Sequence, residues 1–367
     1  MNGDLHRPTL WIDPRAIAQN IAIARSRSAA EVMAVVKANG YGLGTLTLAR
    51  AALDGGATQL GTTDLVEAVA LREAGVRAPI LTWLNASGVD ATAAAEHQIA
   101  VAIGSLEELN ALLRQHSAAP VTVHLHLDVG MCREGASPLD WQALFESAAR
   151  AQRQNKIRVG GLMGHLAQAD RAEPELNDQA VRAMSAAKAR ASVLGLGRLK
   201  LHLAATAATL TDPSTHFDMV RFGAGLAGID PSGRTDLAAV ARLTAPVVHS
   251  VWASEGTSVG YGGMYRSTHD GYLSVLPLGY ADGIPREIST DASVQIAGRR
   301  HRVVGRVSMD QIIIDTGPHR YARGTRATIF GAAASGAPTL ADWANWAQSI
   351  SHTIICTIGS RVIRSVQ

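Results

Sequence analysis

Through the first two-thirds of the chain, short apolar runs alternate with longer amphipathic, alanine-rich stretches. The runs Glu31–Lys37, Gln59–Gly61, Ile80–Trp83, Ile99–Ile103, Val121–Asp128, Val159–Met163, Lys200–Leu203 and Met219–Phe222 read as buried strands. Helical spacing fills the gaps, as in Pro14–Ala30, Leu46–Asp54, Asp64–Ala74, Ser105–Arg114, Asp140–Gln154 and Glu175–Leu194. About eight β/α units in succession predict a parallel (β/α)8 TIM-type barrel, expected over residues 1–237. After Asp230-Pro231-Ser232-Gly233 the pattern becomes β-type, with runs at Ala245–Val251, Gly271–Pro277, Ala292–Ile296, Arg302–Val307, Ile312–Asp315 and Arg326–Phe330. A helix follows at Thr339–Ile350, so residues 238–367 form a second, mainly β domain. The early run Leu10–Ile12 is free to pair with that domain.

Composition narrows the class. Of 367 residues 47% are hydrophobic and 18% charged, enough for a sizeable core. A net charge of +3 gives no reason to expect nucleic acid or an acidic membrane as partner. Two cysteines, Cys132 and Cys356, cannot build a disulfide framework. The N-terminal Met1–Pro8 carries no apolar signal core, and no run approaches the length of a membrane span. A cytoplasmic, soluble protein is the expectation.

The chemistry begins at Lys37. Met33-Ala34-Val35-Val36 leads into it, and Ala38-Asn39-Gly40-Tyr41-Gly42-Leu43-Gly44 follows. A lysine at the end of a buried strand is costly unless it is paired or covalently used. Poor solvation also lowers its pKa, as Schiff-base chemistry requires. The plain alternative is a strand cap reaching solvent. Asp128, Met163-Gly164-His165, His202 and Arg221 also fall near strand ends, where barrels of this kind hold their chemistry.

These segments, together with Leu127-Asp128-Val129-Gly130-Met131-Cys132-Arg133, Asp218-Met219-Val220-Arg221, Ser258-Val259-Gly260-Tyr261-Gly262, Leu278-Gly279-Tyr280-Ala281-Asp282-Gly283 and Val304-Gly305-Arg306-Val307-Ser308-Met309-Asp310-Gln311, resemble the alanine racemase family over nearly the whole length. The order and spacing of the strings make the resemblance specific. It implies pyridoxal 5′-phosphate (PLP) as cofactor, joined to Lys37 through a Schiff base, and Lys37 as one of two bases acting on the substrate Cα. Tyr261 matches the second base, which the family delivers from a partner subunit, so the resemblance implies a homodimer with shared active sites. His165 matches the bridge between Tyr261 and Arg221. Arg221 matches the arginine facing the cofactor's pyridine nitrogen. An arginine only donates hydrogen bonds and leaves that nitrogen unprotonated, which weakens the electron sink and suppresses transamination.

The resemblance further implies that Tyr41, Thr206 and the amides of Gly223 and Ala224 hold the phosphate, with His202 also on the cofactor side. Arg133 matches the arginine that reaches the cofactor's phenolic oxygen and the substrate carboxylate. Met309 and Asp310 match the carboxylate-contacting segment, and Tyr280 matches a tyrosine at the substrate entrance. The family's Ala-Asn-Ser-Ala is Ala204-Ala205-Thr206-Ala207 here, which keeps a hydroxyl and loses the asparagine.

Other departures bear on specificity. His126 stands where the family often has a carbamylated lysine that steadies Arg133, leaving an anion or His126 acting through water to do so. Ser360 replaces a tyrosine that narrows the substrate pocket. Ala227 and Leu43 replace residues that are usually tyrosine and histidine. His124 and His126 lie two apart on one strand and share a face, but no further ligands with zinc-like spacing accompany them. Interconversion of L- and D-alanine is the leading reading. A racemase for serine or a bulkier amino acid is the alternative that Ser360 and Ala227 suggest. A PLP lyase or decarboxylase, or a non-catalytic PLP-binding protein, fits less well with Arg221, Tyr261 and Met309 present together.

Overall fold

The structure is a computed structural model and describes residues 7–367 apart from Ala172, Pro174 and Leu176. Most of the segment read as lacking a signal core, and one residue of the helix expected from Glu175, therefore lie outside the described residues. Two compact units are present. One comprises Ile17–Gly40 and Thr45–Leu237. The other comprises, among the described residues, residues 7–16, Tyr41–Gly44 and Ala238–Gln367.

Strand β1 (Thr9–Ile12) opens the described chain. The first unit is a closed barrel of parallel strands β2 (Glu31–Val35), β3 (Gln59–Thr62), β4 (Ile80–Thr82), β5 (Ile99–Ile103), β6 (Val121–His126), β7 (Ile157–Met163), β8 (Lys200–His202) and β9 (Met219–Phe222). The strands read as near-continuous apolar runs because helices cover one face and the barrel interior the other. Met33, Leu81, Ala102, Met163 and Met219 form an interior layer, with Trp83 packed against it. Helices start sharply after several strands: Asp64, Asp90 and Ser105 each accept a backbone N–H from the helix they cap.

The second unit is a sheet in the order β11 (His249–Ala253), β14 (Gly271–Leu276), β17 (Ile312–Gly317), β16 (Arg299–Val304), β15 (Ser293–Ile296), β18 (Arg326–Phe330), β10 (Ala241–Pro246), β1, β19 (Ile363–Val366). A short hairpin of β12 (Ser258–Val259) and β13 (Tyr265–Arg266) forms a separate two-stranded sheet. β1 pairs antiparallel with β10, Leu10 opposite Leu243, and parallel with β19.

Several expectations shift. The apolar run Ala245–Val251 breaks after Pro246, since proline cannot donate to a ladder. The helix expected at Thr339–Ile350 is Leu340–Trp346, followed by a separate helix at Ser351–Cys356. The long helix expected from Glu175 begins at Asp178, and two six-residue helices, Ala91–Glu96 and Thr206–Thr211, are too short to show a stripe. Among the described residues no helix is long and apolar enough to cross a membrane.

Candidate active site

Strand β2 ends at Val35 rather than at Lys37, because the chain turns sharply there. Met33 through Val36 are buried, and the Val36 N–H donates to the Gly61 carbonyl at 2.8 Å. Lys37 is half-buried, with Nζ 6.0 Å from the centroid of the Trp83 ring. Ala38, Asn39, Gly40 and Tyr41 then take φ of 56°, 51°, 60° and 54°, a full left-handed turn. For residues other than glycine this conformation costs about 1–2 kcal/mol each, so something must hold it. Glu67 does: its carboxylate accepts from the Ala38 N–H at 2.8 Å and from the Thr63 N–H at 2.9 Å. Strain of this kind gathers at functional sites. Neither Trp83 nor Glu67 stands out as a functional residue in the sequence. A tryptophan directly after the apolar run Ile80–Thr82 was the available signal; Glu67 looked like any first-turn helix acid.

Arg221 lies on β9, 3% exposed, with the barrel wall around it. Its Nη1 donates to His202 Nδ1 (3.1 Å) and to the His202 carbonyl (2.9 Å). Its Nη2 donates to the carbonyls of Gly164 (2.7 Å) and Leu203 (3.1 Å) and to His165 Nδ1 (3.1 Å). Among the described residues none accepts from Nε. Burial, then the charge of Arg133, pushes Arg221 down to about 10, so it stays cationic at neutral pH. His165 and His202 are neutral. Burial first, and then neighbouring positive charge, takes His165 to about 3 and His202 well below the usual imidazole range.

Thr206 opens the helix Thr206–Thr211, and its hydroxyl oxygen accepts from the N–H groups of Gly223 (3.1 Å) and Gly225 (3.3 Å). With its oxygen accepting twice, the hydroxyl keeps its own hydrogen to donate. Gly223 and Ala224 begin the turn after β9. Before Arg133, Asp128 folds the loop by accepting from the N–H groups of Gly130, Met131 and Cys132 at 3.0, 3.0 and 3.1 Å. Arg133 itself is exposed.

The second unit gathers another set. Tyr280 donates its N–H to the Ser308 carbonyl and Ala281 to the Met309 carbonyl, each at 3.0 Å. Arg361 then binds Asp282 with two nitrogens at 3.0 Å and Asp310 with a third at 2.7 Å. Tyr280, Met309, Asp310 and Ser360 are thereby bracketed together. Tyr261 stands apart in a turn with Gly260, Gly262 and Gly263 all at positive φ, and it is 72% exposed. Tyr41 belongs to this unit, where its ring lies 6.4 Å from that of His352. Burial, and then Cys356, raises its hydroxyl pKa above the usual phenol range.

The profile of the alanine racemase N-terminal domain matches residues 12–231, and that of the C-terminal domain matches residues 240–366. The chain belongs to the alanine racemase family. It is 38% identical to the alanine racemase of Salinispora tropica over 353 residues, 95% of each chain. The crystal structure of alanine racemase from a D-cycloserine-producing Streptomyces lavendulae superposes with a TM-score of 0.95 at 34% identity, covering 99% of this chain and 97% of that one. An alanine racemase structure from Bartonella henselae, described as holding covalently bound pyridoxal phosphate, gives 0.86 at 26% identity over 98% and 99%. The chain is thus an isomerase of the amino acid racemase class.

Against the rest of the alanine racemase family, this chain's departures take clear physical form. His126 is 4% exposed; burial, then Arg221 and Arg133, takes its pKa to about 4. A neutral imidazole there does not supply the negative charge of a carbamate. Ala227 and Leu43 are 2% and 1% exposed, while Ser360 is exposed.

Proposed function

We propose that this chain is a PLP-dependent racemase that interconverts L- and D-alanine by two-base proton transfer at Cα. Arg221 carries the proposal. It is a buried cation with its two terminal nitrogens taken by imidazoles and carbonyls, and its Nε–H left to donate. That donor set fits a pyridine nitrogen. Lys37 beside Trp83 fits covalent attachment, and the Thr206 hydroxyl with Gly223 and Ala224 fits a phosphate. Such a cofactor, when bound, supplies the electron sink that makes a Cα proton acidic enough to remove.

Lys37 takes or returns the proton on one face of Cα. Tyr261, delivered by a second copy of the chain, does so on the other face. The exposure of Tyr261, Met264 and Met309 supports a homodimer that covers them. Tyrosine is a poor base near its ordinary pKa of about 10 and needs a donor to steady its phenolate. His165 provides one. Its Nδ1 accepts from Arg221, so its proton resides on Nε2 and that N–H is the donor. Arg133 and the Met309 N–H orient the substrate carboxylate. The homodimer would work on free amino acids in the cytoplasm.

The test is purified protein with PLP, offered single L- and D-amino acids in deuterated water. Proton NMR follows Cα exchange and chiral chromatography follows inversion. Inversion of alanine ahead of all others is the expected result. Faster inversion of serine or a bulkier amino acid would transfer the reading to the alternative that Ser360 raises. Exchange or inversion of none of them would overturn it.

A further inference from the structure

His124 is a buried histidine that the reaction does not use. β6 leaves regular pairing with β7 just before it: Val123 lies opposite Val159, His124 lies opposite Gly161, and Gly160 is the extra residue. A bulge re-aims a side chain, and here it turns the imidazole into the wall. The two glycines clear the room. A Cβ on Gly160 would sit 3.0 Å from His124 Nε2; one on Gly161 would sit 2.8 Å from Nδ1 and 2.4 Å from the Lys200 carbonyl. His124 is 7% exposed, and its ring meets that of His202 edge-on, with centroids 5.0 Å apart. His124 Nδ1 lies 2.8 Å from His202 Nε2.

The direction of these hydrogen bonds follows from Arg221. A guanidinium cannot accept, so His202 Nδ1, at 3.1 Å from Arg221 Nη1, is the acceptor. A neutral His202 then carries its proton on Nε2 and donates it to His124 Nδ1. His124 in turn is protonated on Nε2. A run of like-directed donations passes from the cation on β9 through β8 to β6.

We propose that His124 is a positioning residue for Arg221: by accepting the Nε2 proton of His202, it locks His202 in the tautomer whose Nδ1 receives the Arg221 guanidinium. Without that acceptor, His202, 0% exposed, holds a buried donor with no partner. The other tautomer relieves this only by aiming an N–H at an N–H of Arg221. Arg221 would then shift from the setting in which it also holds His165. The catalytic consequence rests on the racemase reading; the tautomer does not.

Ring-nitrogen-labelled histidine in the full-length holoenzyme reports tautomers through two-bond nitrogen–proton correlations, with His202 identified by loss of its signals in His202→Gln. Wild-type His202 is expected as the Nε2–H form. In His124→Phe that form is lost, and kcat falls about tenfold, the factor carried by one buried hydrogen bond in the transition state, with KM little changed. In His124→Gln the amide oxygen accepts the same proton, and the Nε2–H form and most of kcat return. An Nδ1–H form in the wild type, or an unaltered His202 tautomer in His124→Phe, overturns the proposal. If His124→Phe does not fold, the wild-type and His124→Gln spectra decide it: loss of the Nε2–H form in His124→Gln also overturns it. Absence of inversion for every amino acid by the wild type would remove the racemase reading and leave the tautomer result standing.

Discussion

Arg221 grips His202 at two points, donating from one nitrogen to the imidazole Nδ1 at 3.1 Å and to the same residue's carbonyl at 2.9 Å. Only a planar fork makes this pair of contacts while its other terminal nitrogen serves His165. In Arg221→Lys one ammonium cannot reach both imidazoles and the carbonyls of Gly164 and Leu203. Loss of these buried charge-assisted bonds should lower stability by about 2–4 kcal/mol, read as the shift in a urea midpoint. Racemisation should fall by about a hundredfold or more. A variant with wild-type midpoint and rate would show that the fork is dispensable.

The buried histidines give the stability a definite pH dependence. Burial first, then adjacent positive charge, takes His124 and His126 to about 4 and His165 to about 3, against 6.5 when solvated. Between those values the unfolded chain binds more protons than the folded one. Stability therefore rises with pH through this window, is fully present above the unfolded value, and drains away as pH falls toward 4. Each such histidine adds a slope of about 1.4 kcal/mol per pH unit. Urea midpoints measured from pH 7 to pH 5 should fall, and His124→Gln should flatten the fall. A midpoint constant across that range would contradict neutral, buried imidazoles.

Glu67 braces the left-handed turn after Lys37 with both carboxylate oxygens, one on Ala38 and one on Thr63. Glu67→Gln keeps the shape but leaves one of these N–H groups facing an amide NH2. The change should cost about 1–3 kcal/mol and loosen the turn that carries Lys37. Spectrophotometric titration with PLP should show weaker binding, with kcat reduced. Unchanged PLP affinity would mean that the turn holds itself.

Gly279 has ordinary extended φ, so an added methyl acts by contact alone. Its Cβ would lie 2.2 Å from the Ser308 carbonyl and 2.5 Å from that of Met309, both backbone atoms. Gly279→Ala must displace the segment expected to receive the substrate carboxylate. KM for the amino acid should rise about tenfold or more, with a smaller change in kcat, since displacement of a binding group harms positioning. Kinetics with KM unmoved would separate Met309 from carboxylate binding.

The alternation of apolar runs and amphipathic stretches was enough to read a barrel followed by a β unit, because burial on both faces and the 3.6-residue period are local properties of the chain. Lys37, Arg221 and Tyr261 were legible as candidates from the motif strings around them. What no pattern carried was the left-handed turn at Ala38–Tyr41, since φ has no hydrophobic signature and Ala and Tyr favour other regions. The pattern allowed the run Leu10–Ile12 to pair with the β domain, as it does, but named neither β10 nor β19 as its partner, nor the grouping of Tyr41–Gly44 with the β unit. The proton chain His124–His202–Arg221–His165 spans sequence separations of 78, 19 and 56 residues, and the bracket of Arg361 on Asp282 and Asp310 spans 79 and 51. Such contacts are set by strand register, by a bulge and by which glycines leave room. They exist only once the barrel and the sheet have closed, so the sequence determined the elements and the reactive residues, and the tertiary structure decided which side chains meet around Arg221.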